Sequence, residues 1–283
     1  MALLQKAYLG SAPLWRQINW YEDGSPNFID SSSAVTLTAD TAAHTKGSWS
    51  EVIASTSADV SFLWVRVSLV SAASTNTATL IDIGTGASGS EVACASNIAV
   101  GGASAVNAAT LQAVIFGIPV KIASGTRIAA RIQSVVTGGK TGRVEIIAMD
   151  TGDYATTPTT VDVIGTDTTT SEGTSFSGAS GTWVEGIAST SQAYRAIGVV
   201  LSTHDTIISN INNLQFDVGV GASGSEVAFG SLRYNFNADE RLGITAPFTF
   251  LFGRNIPAGS RLAVKHRFAS NPNRQGFTLI GIP

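Results

Sequence analysis

Cysteine is nearly missing from this chain: 283 residues contain one, Cys94. A single thiol excludes a disulfide framework within the chain and any cysteine-rich zinc site. Charge is scarce too, at 13% of residues, where globular domains carry about a quarter. With a net charge of −3, the balance argues against a nucleic-acid binder held by phosphate contacts. No apolar run approaches the roughly 18–20 residues of a helical membrane span, so no membrane partner is expected. The opening MALLQKAYLGSAPLWR has no basic segment leading into a sustained apolar core, so it does not read as a signal peptide. Convincing helical periodicity is absent as well: Glu and Lys are few, while Ser, Thr, Val and Ile abound. What remains is a 44% hydrophobic chain, enough to build a core and too much for disorder.

What the chain does have is a long internal repeat. GSWSEVIASTS at 47–57 returns as GTWVEGIASTS at 181–191, with 8 of 11 positions identical. IDIGTGASGSEVA at 81–93 returns as FDVGVGASGSEVA at 216–228, with 10 of 13 identical. The offset is 134 residues at the first block, 135 at the second, and 134 again at SGTRIAA (124–130) against AGSRLAV (258–264). On that spacing GRVEIIAM (142–149) falls on GFTLIGIP (276–283). Ordered blocks at nearly constant offset indicate a duplication, with copies at 34–150 and 161–283 and a polar linker, TGDYATTPTT, at 151–160. Each copy has the size of one ordinary domain.

Period-two alternation points to strands. In TRIAARIQ (126–133), Ile128, Ala130 and Ile132 share one face, and Arg127, Ala129, Arg131 and Gln133 share the other, wet one. SRLAVKHRF (260–268) repeats the pattern, with Leu262, Val264 and Phe268 inward and Arg261, Lys265 and Arg267 outward. Copy one offers eight strands, near 34–39, 49–54, 60–69, 77–83, 90–100, 111–120, 126–134 and 142–149, separated by glycine-rich turns. Eight short strands per copy predict an all-β chain: two tandem jelly-roll-like β-sandwich domains from internal duplication, with an irregular N-terminal arm at 1–33. An immunoglobulin-like sandwich is the alternative. The arm holds Trp15, Trp20, Tyr21 and Phe28, too short a segment to bury those rings alone. It either packs back on its own first domain or docks on a partner, where tryptophan is a favoured anchor.

Several patterns invite a chemical reading. Gly84-x-Gly86-x-x-Gly89 spells a dinucleotide fingerprint, but no helix follows it to face a pyrophosphate. It and its duplicate, Gly219-x-Gly221-x-x-Gly224, read as inter-strand loops whose glycines take positive φ. Asp82 with Glu91, and Asp217 with Glu226, flank those loops. They cap backbone N–H groups or, alternatively, hold calcium; a glycosidase pair has no cleft to support it. Trp49 and Trp183 recur in G-[S/T]-W-x-E, followed by Glu51 and Glu185 at the strand edge; shared packing or a sugar platform would each explain them. Arg254, Arg261, Lys265, Arg267 and Arg274, with Arg127 and Arg131 at the places of Arg261 and Lys265, suggest a solvated cationic strand face or a contact with an acidic neighbour. His44, His204 and His266 have no metal-ligand spacing, and Cys94, which aligns with Phe229, reads as a small buried thiol. No catalytic set, metal site or cofactor is expected.

The repeated blocks carry a resemblance. Trp49, Glu51 and Ile53 to Asp59, then Asp82 to Glu91, are matched by Trp183, Glu185 and Ile187 to Ser191, then Asp217 to Glu226, although Gln192-Ala193 replaces Ala58-Asp59. This pattern resembles uncharacterised structural proteins of tailed bacteriophages. The resemblance spans both repeats, not the arm. It implies a non-enzymatic virion component made in the host cytoplasm: a collar, tail or fibre protein or a capsid decoration, attached through its arm. Other virion proteins and further copies of the chain are the implied partners. A carbohydrate- or receptor-binding module that touches a host-surface glycan is the alternative.

Overall fold

Strands form where β-branched and aromatic residues alternate with polar ones, because each pleat sends successive side chains to opposite faces. The computed structural model describes residues 8–9, 12–13, 28–30, 34–69, 78–101, 113–150, 154–170, 172–175, 181–203, 213–235, 250–268 and 275–283. Ahead of the repeat, β1 (Tyr8–Leu9) and β2 (Ala12–Pro13) pair with each other, and β3 (Phe28–Asp30) follows. Copy one continues with β4 (Val35–Thr38), β5 (Ser50–Ile53), β6 (Phe62–Leu69), β7 (Thr79–Thr85), β8 (Val92–Gly101), β9 (Ala113–Ile118), β10 (Ile128–Ser134) and β11 (Thr141–Met149). A short 3-10 turn at Tyr154–Thr156 precedes copy two. That copy holds β12 (Asp162–Ile164), β13 (Thr166–Asp167), β14 (Glu172–Ser175), β15 (Trp183–Ile187), β16 (Tyr194–Thr203), β17 (Asn213–Val220), β18 (Val227–Asn235), β19 (Phe250–Ile256), β20 (Leu262–Phe268) and β21 (Gln275–Ile282). No α-helix occurs among the described residues.

All pairings are antiparallel, and their order defines the topology. Lettered B to I in chain order, the eight main strands of copy one form one sheet in the order B-I-D-G (β4–β11–β6–β9) and another in the order C-H-E-F (β5–β10–β7–β8). Copy two repeats both orders, with β14–β21–β16–β19 and β15–β20–β17–β18. Each copy is thus a two-sheet jelly roll. Alternate residues from the facing sheets fill each core: Val65 and Ile146 with Ile83 and Ile128 in copy one, and Ile197 and Leu279 with Val218 and Val264 in copy two.

Three sequence expectations are corrected here. The arm is not irregular throughout: β3 pairs with Ile147–Met149 of β11, so the first sheet begins at Phe28, inside the segment read as arm. In copy two β12 takes the corresponding place on β21, so strand B is split in both copies. Secondly, the last repeat block is out of register by one residue. Val144 faces Val67 on β6, whereas Phe277 faces Leu201, the counterpart of Val67, on β16. The offset there is 133, not 134, and a one-residue slip exchanges the faces of a strand. Thirdly, the outer face of β10 is not wet throughout. Ala129 and Gln133 are buried, and Gln133 donates from Nε2 to the Thr168 carbonyl of copy two at 2.8 Å.

Candidate functional site

The outer face of each C-H-E-F sheet holds the repeated polar residues, and the two copies build its arginine clamp nearly atom for atom. On β10 the alternation throws the Arg127 side chain outward, between edge strand β5 and the loop after β7. Its Nε donates to Glu51 Oε2 at 2.8 Å, and its Nη1 donates to Glu91 Oε1 at 2.7 Å. In copy two Arg261 donates to Glu185 Oε2 and to Glu226 Oε1, each at 2.6 Å. Both guanidinium groups also reach a loop carbonyl, Gly86 or Gly221, at 3.4 Å. Glu91 turns its second oxygen to the Gly89 N–H at 2.9 Å, closing the loop. Burial pushes the Glu91 and Glu226 carboxyls upward, but the arginine and nearby backbone N–H groups outweigh it and hold both below the usual range. Of the expected cationic face, Arg127 and Arg261 are thus clamped by carboxylates, Arg254 is exposed, and Arg274 lies outside the described residues.

Asp82 does not join Glu91 at the loop. It lies mid-strand on β7, buried, and accepts from Lys46 Nζ at 2.6 Å, the Asn97 N–H at 2.7 Å and Arg131 Nε at 2.8 Å. Desolvation holds the Lys46 ammonium below its ordinary value, although Asp82 opposes the shift. Asp217 meets Lys265 at 3.3 Å. Each Asp–Glu pair read as a loop cap thus divides into a loop-capping glutamate and a strand-borne aspartate held by cations. Among the described residues, no group of three or more His, Cys, Asp or Glu side chains gathers in a way that holds a metal ion.

Trp49 lies over Gly84, and Trp183 over Gly219. A Cβ on Gly84 would stand 2.7 Å from the Trp49 ring, and one on Gly219 would stand 2.5 Å from that of Trp183. This close approach is why the first glycine of each triple is glycine; the others, Gly86, Gly89, Gly221 and Gly224, have positive φ. A cation stacks on each indole, Arg131 at 4.3 Å from the Trp49 ring centre and Lys265 at 4.5 Å from that of Trp183. Cys94 is buried beside the Ile83 carbonyl, and burial pushes its thiol up to about 12. Trp15, Trp20 and Tyr21 lie outside the described residues, and Phe28 is described only as part of β3.

The feature that the motifs did not reveal is a contact between the sandwiches. The B-I-D-G sheet of copy two is apolar on both faces. Its outer residues Ala196, Val200, Ile280 and Ile282 are buried in one cluster with copy one residues, including Cys94, Ile98 and Val100 of β8. The edge N–H of Ala99 on β8 donates to Thr278 Oγ1 at 3.2 Å, and the Val161 N–H donates to the Cys94 carbonyl at 3.0 Å. The sequence did carry a signal for this. GFTLIGI in β21 is a nearly continuous apolar run, as expected of a strand covered on both faces.

No protein-family model matches the chain, and no curated protein matches it. Solved structures align along most of its length, among them three of different kinds. STIV MCP, a viral major capsid protein, aligns at a TM-score of 0.37 and 9% identity, covering 90% of this chain and 95% of its own. PNGase F, a glycosylasparaginase from Flavobacterium meningosepticum, aligns at a TM-score of 0.32 and 10% identity, covering 90% and 96%. The CBM22-1–CBM22-2 tandem domain of Paenibacillus barcinonensis Xyn10C aligns at a TM-score of 0.22 and 9% identity, covering 91% and 93%.

Proposed function

We propose that the chain is a non-enzymatic structural subunit of a tailed-phage virion: a collar, tail, fibre or capsid-decoration component that works by contact and attaches through its N-terminal arm. The observation that carries this reading is the contact between the sandwiches. One jelly roll packs on the outer face of a sheet in the other, over its central strands β16 and β21, so a repeated unit already serves as a packing partner for itself. Jelly rolls are used in this way in viral shells, and also in lectins. The sequence resemblance of the repeated blocks to tailed-phage structural proteins points to the same kind of particle.

The polar residues of the repeats support a scaffold role. Arg127, Arg261, Glu91 and Glu226 pin the loops to the sheet, and Asp82 ties β7 to β10 and to the Lys46 loop. Both indoles that would serve as a sugar platform are packed on glycine and stacked with a cation. A glycan-binding role would therefore need other residues.

The test is deletion of residues 1–27, which spares β3. The truncated chain should remain soluble and folded yet no longer join particles when it replaces the full chain during infection. Normal incorporation of the truncated chain would contradict attachment through the arm.

A further inference from the structure

We propose that copy one carries out one chemical step on itself: Lys46 Nζ forms an isopeptide bond with the side-chain carbonyl carbon of Asn97, Asp82 carries the proton, and ammonium is released. The inference goes beyond the virion reading and does not depend on it.

The three groups that this chemistry needs meet at one point on the outer face of the C-H-E-F sheet. Lys46, in the loop before β5, donates from Nζ to Asn97 Oδ1 and to Asp82 Oδ1, each at 2.6 Å. A nucleophilic nitrogen thus lies against the carbonyl group it would attack and against a carboxylate that can take its proton. Held contact of this kind replaces a chance encounter between reactants. The Asp82 side chain is 1% exposed and that of Lys46 20%, so the pair sits largely out of water. Asp82 is fixed by the Asn97 N–H at 2.7 Å and, on its second oxygen, by Arg131 Nε at 2.8 Å. Arg131 is in turn stacked on Trp49. Burial holds the Lys46 ammonium below its ordinary value against the pull of Asp82, and Arg131 adds to the lowering. Both effects favour the neutral amine that attacks.

The backbone brings Asn97 to this point by a local departure from the repeat. Ala95 faces Ile83 and Ile98 faces Ile81, so Ser96 and Asn97 together stand opposite Asp82. In copy two Gly230 faces Val218 and Leu232 faces Phe216, and Ser231 alone faces Asp217. Copy one therefore carries an added residue in β8, a bulge of the kind that re-aims a side chain. The repeat offset steps from 135 to 134 at this place. Asn97 has φ 62°, a conformation uncommon outside glycine in which asparagine is enriched. At the position of Lys46 copy two has Ser180. Copy two keeps the aspartate and a cation, Asp217 and Lys265 at 3.3 Å, without the loop lysine or the bulge asparagine. A charge pair on the sheet needs only what both copies share. The nucleophile and the amide are additions confined to copy one.

The step balances within the chain. Asp82 takes a proton from the Lys46 ammonium, and the freed lone pair forms the bond to Asn97 Cγ. The Cγ–Nδ2 bond then breaks, and its electron pair stays on Nδ2. That nitrogen collects the proton held by Asp82 and one from the attacking nitrogen, and leaves as ammonium. Asp82 is again a carboxylate, and nothing is oxidised or reduced. The product ties the loop before β5 covalently to edge strand β8, across β10 and β7.

Intact-mass spectrometry of the full chain, held folded at neutral pH until its mass is constant, tests this. Wild type should be lighter than its sequence by one ammonia. A tryptic digest should contain a branched peptide joining Lys46 to Asn97, uncut after Lys46. Lys46→Arg keeps a cation beside Asp82, and Asn97→Gly suits the positive φ; each should retain the full sequence mass with unchanged circular dichroism. Asp82→Asn should slow the mass loss by about 100-fold or more, the usual share of a proton-transferring group. Wild type that keeps its full mass overturns the inference. So does a loss of ammonia that persists in Lys46→Arg or gives no branched peptide, as closure of an asparagine to a succinimide would. A folded Asp82→Asn chain that reacts at the wild-type rate overturns it as well.

Discussion

The indole of Trp49 lies on the backbone of Gly84 so closely that a Cβ at residue 84 would stand 2.7 Å from it, and Trp183 and Gly219 repeat the arrangement in copy two. Each pair is a lock between edge strand C and central strand E. Gly84→Ala should destabilise the fold by about 1–3 kcal/mol, the usual range for overpacking. In a Trp49→Ala background the same change should cost less, because the ring is gone and only the Val92 carbonyl, 3.1 Å from the added Cβ, still opposes the methyl group. A double-mutant cycle from urea unfolding checks this. Additive losses would mean that the two positions are not in contact.

Acid should weaken the protein in two stages. Burial holds the His266 imidazole below its ordinary value of 6.5. A depressed histidine pKa means that the unfolded chain takes up the proton first, so stability falls as pH drops below about 6.5. Glu91 and Glu226 are also depressed, and their contribution is lost further down, as pH falls from their ordinary value of 4.5 through their folded values. His266→Ile, which installs the residue found at the corresponding position Ile132, should remove the first stage and leave the second. Urea midpoints measured from neutral pH down through the carboxylate range provide the check.

Cys94 should be silent in the native protein. Burial pushes its thiol up to about 12, so little thiolate exists near neutrality and access is closed. A chromogenic disulfide reagent at pH 8 should titrate no thiol in the folded chain and one after unfolding in urea.

The contact between sandwiches should couple their unfolding. Thr278→Val removes the acceptor of the buried Ala99 N–H and should cost about 1–3 kcal/mol, the penalty for an unsatisfied buried donor. Wild type should unfold in one calorimetric transition, and Ile280→Asp, which places a carboxylate in the apolar contact, should split it into two. A single transition retained in Ile280→Asp would show that the sandwiches are coupled by other means.

Much of this architecture was legible in the sequence, and the limits have physical causes. Alternation located all eight main strands of copy one, because each sheet has one face in a core. The repeat supplied the equivalences that pair Trp49 with Trp183 and Arg127 with Arg261. Alternation says nothing about a second burial. Gln133 looks wet on β10 but is buried where it meets Thr168 of copy two. The Asp82 cluster depends on Lys46, 36 residues away in a loop, and no spacing rule connects them. The slip in the last block was hidden because β21 is apolar on both faces, so a shift by one residue leaves the pattern looking intact. Glycine composition also misled: positive φ explains Gly86 and Gly89, but Gly84 is glycine because a ring lies on it.

The central claim is that this chain is a building block that acts by contact. Imaging of purified particles by electron cryomicroscopy tests it most directly. The account predicts density for the double jelly roll in multiple copies, with the arm in contact with the particle. Purified, infectious particles with no density for the chain, and none of it detected by mass spectrometry, would contradict the account.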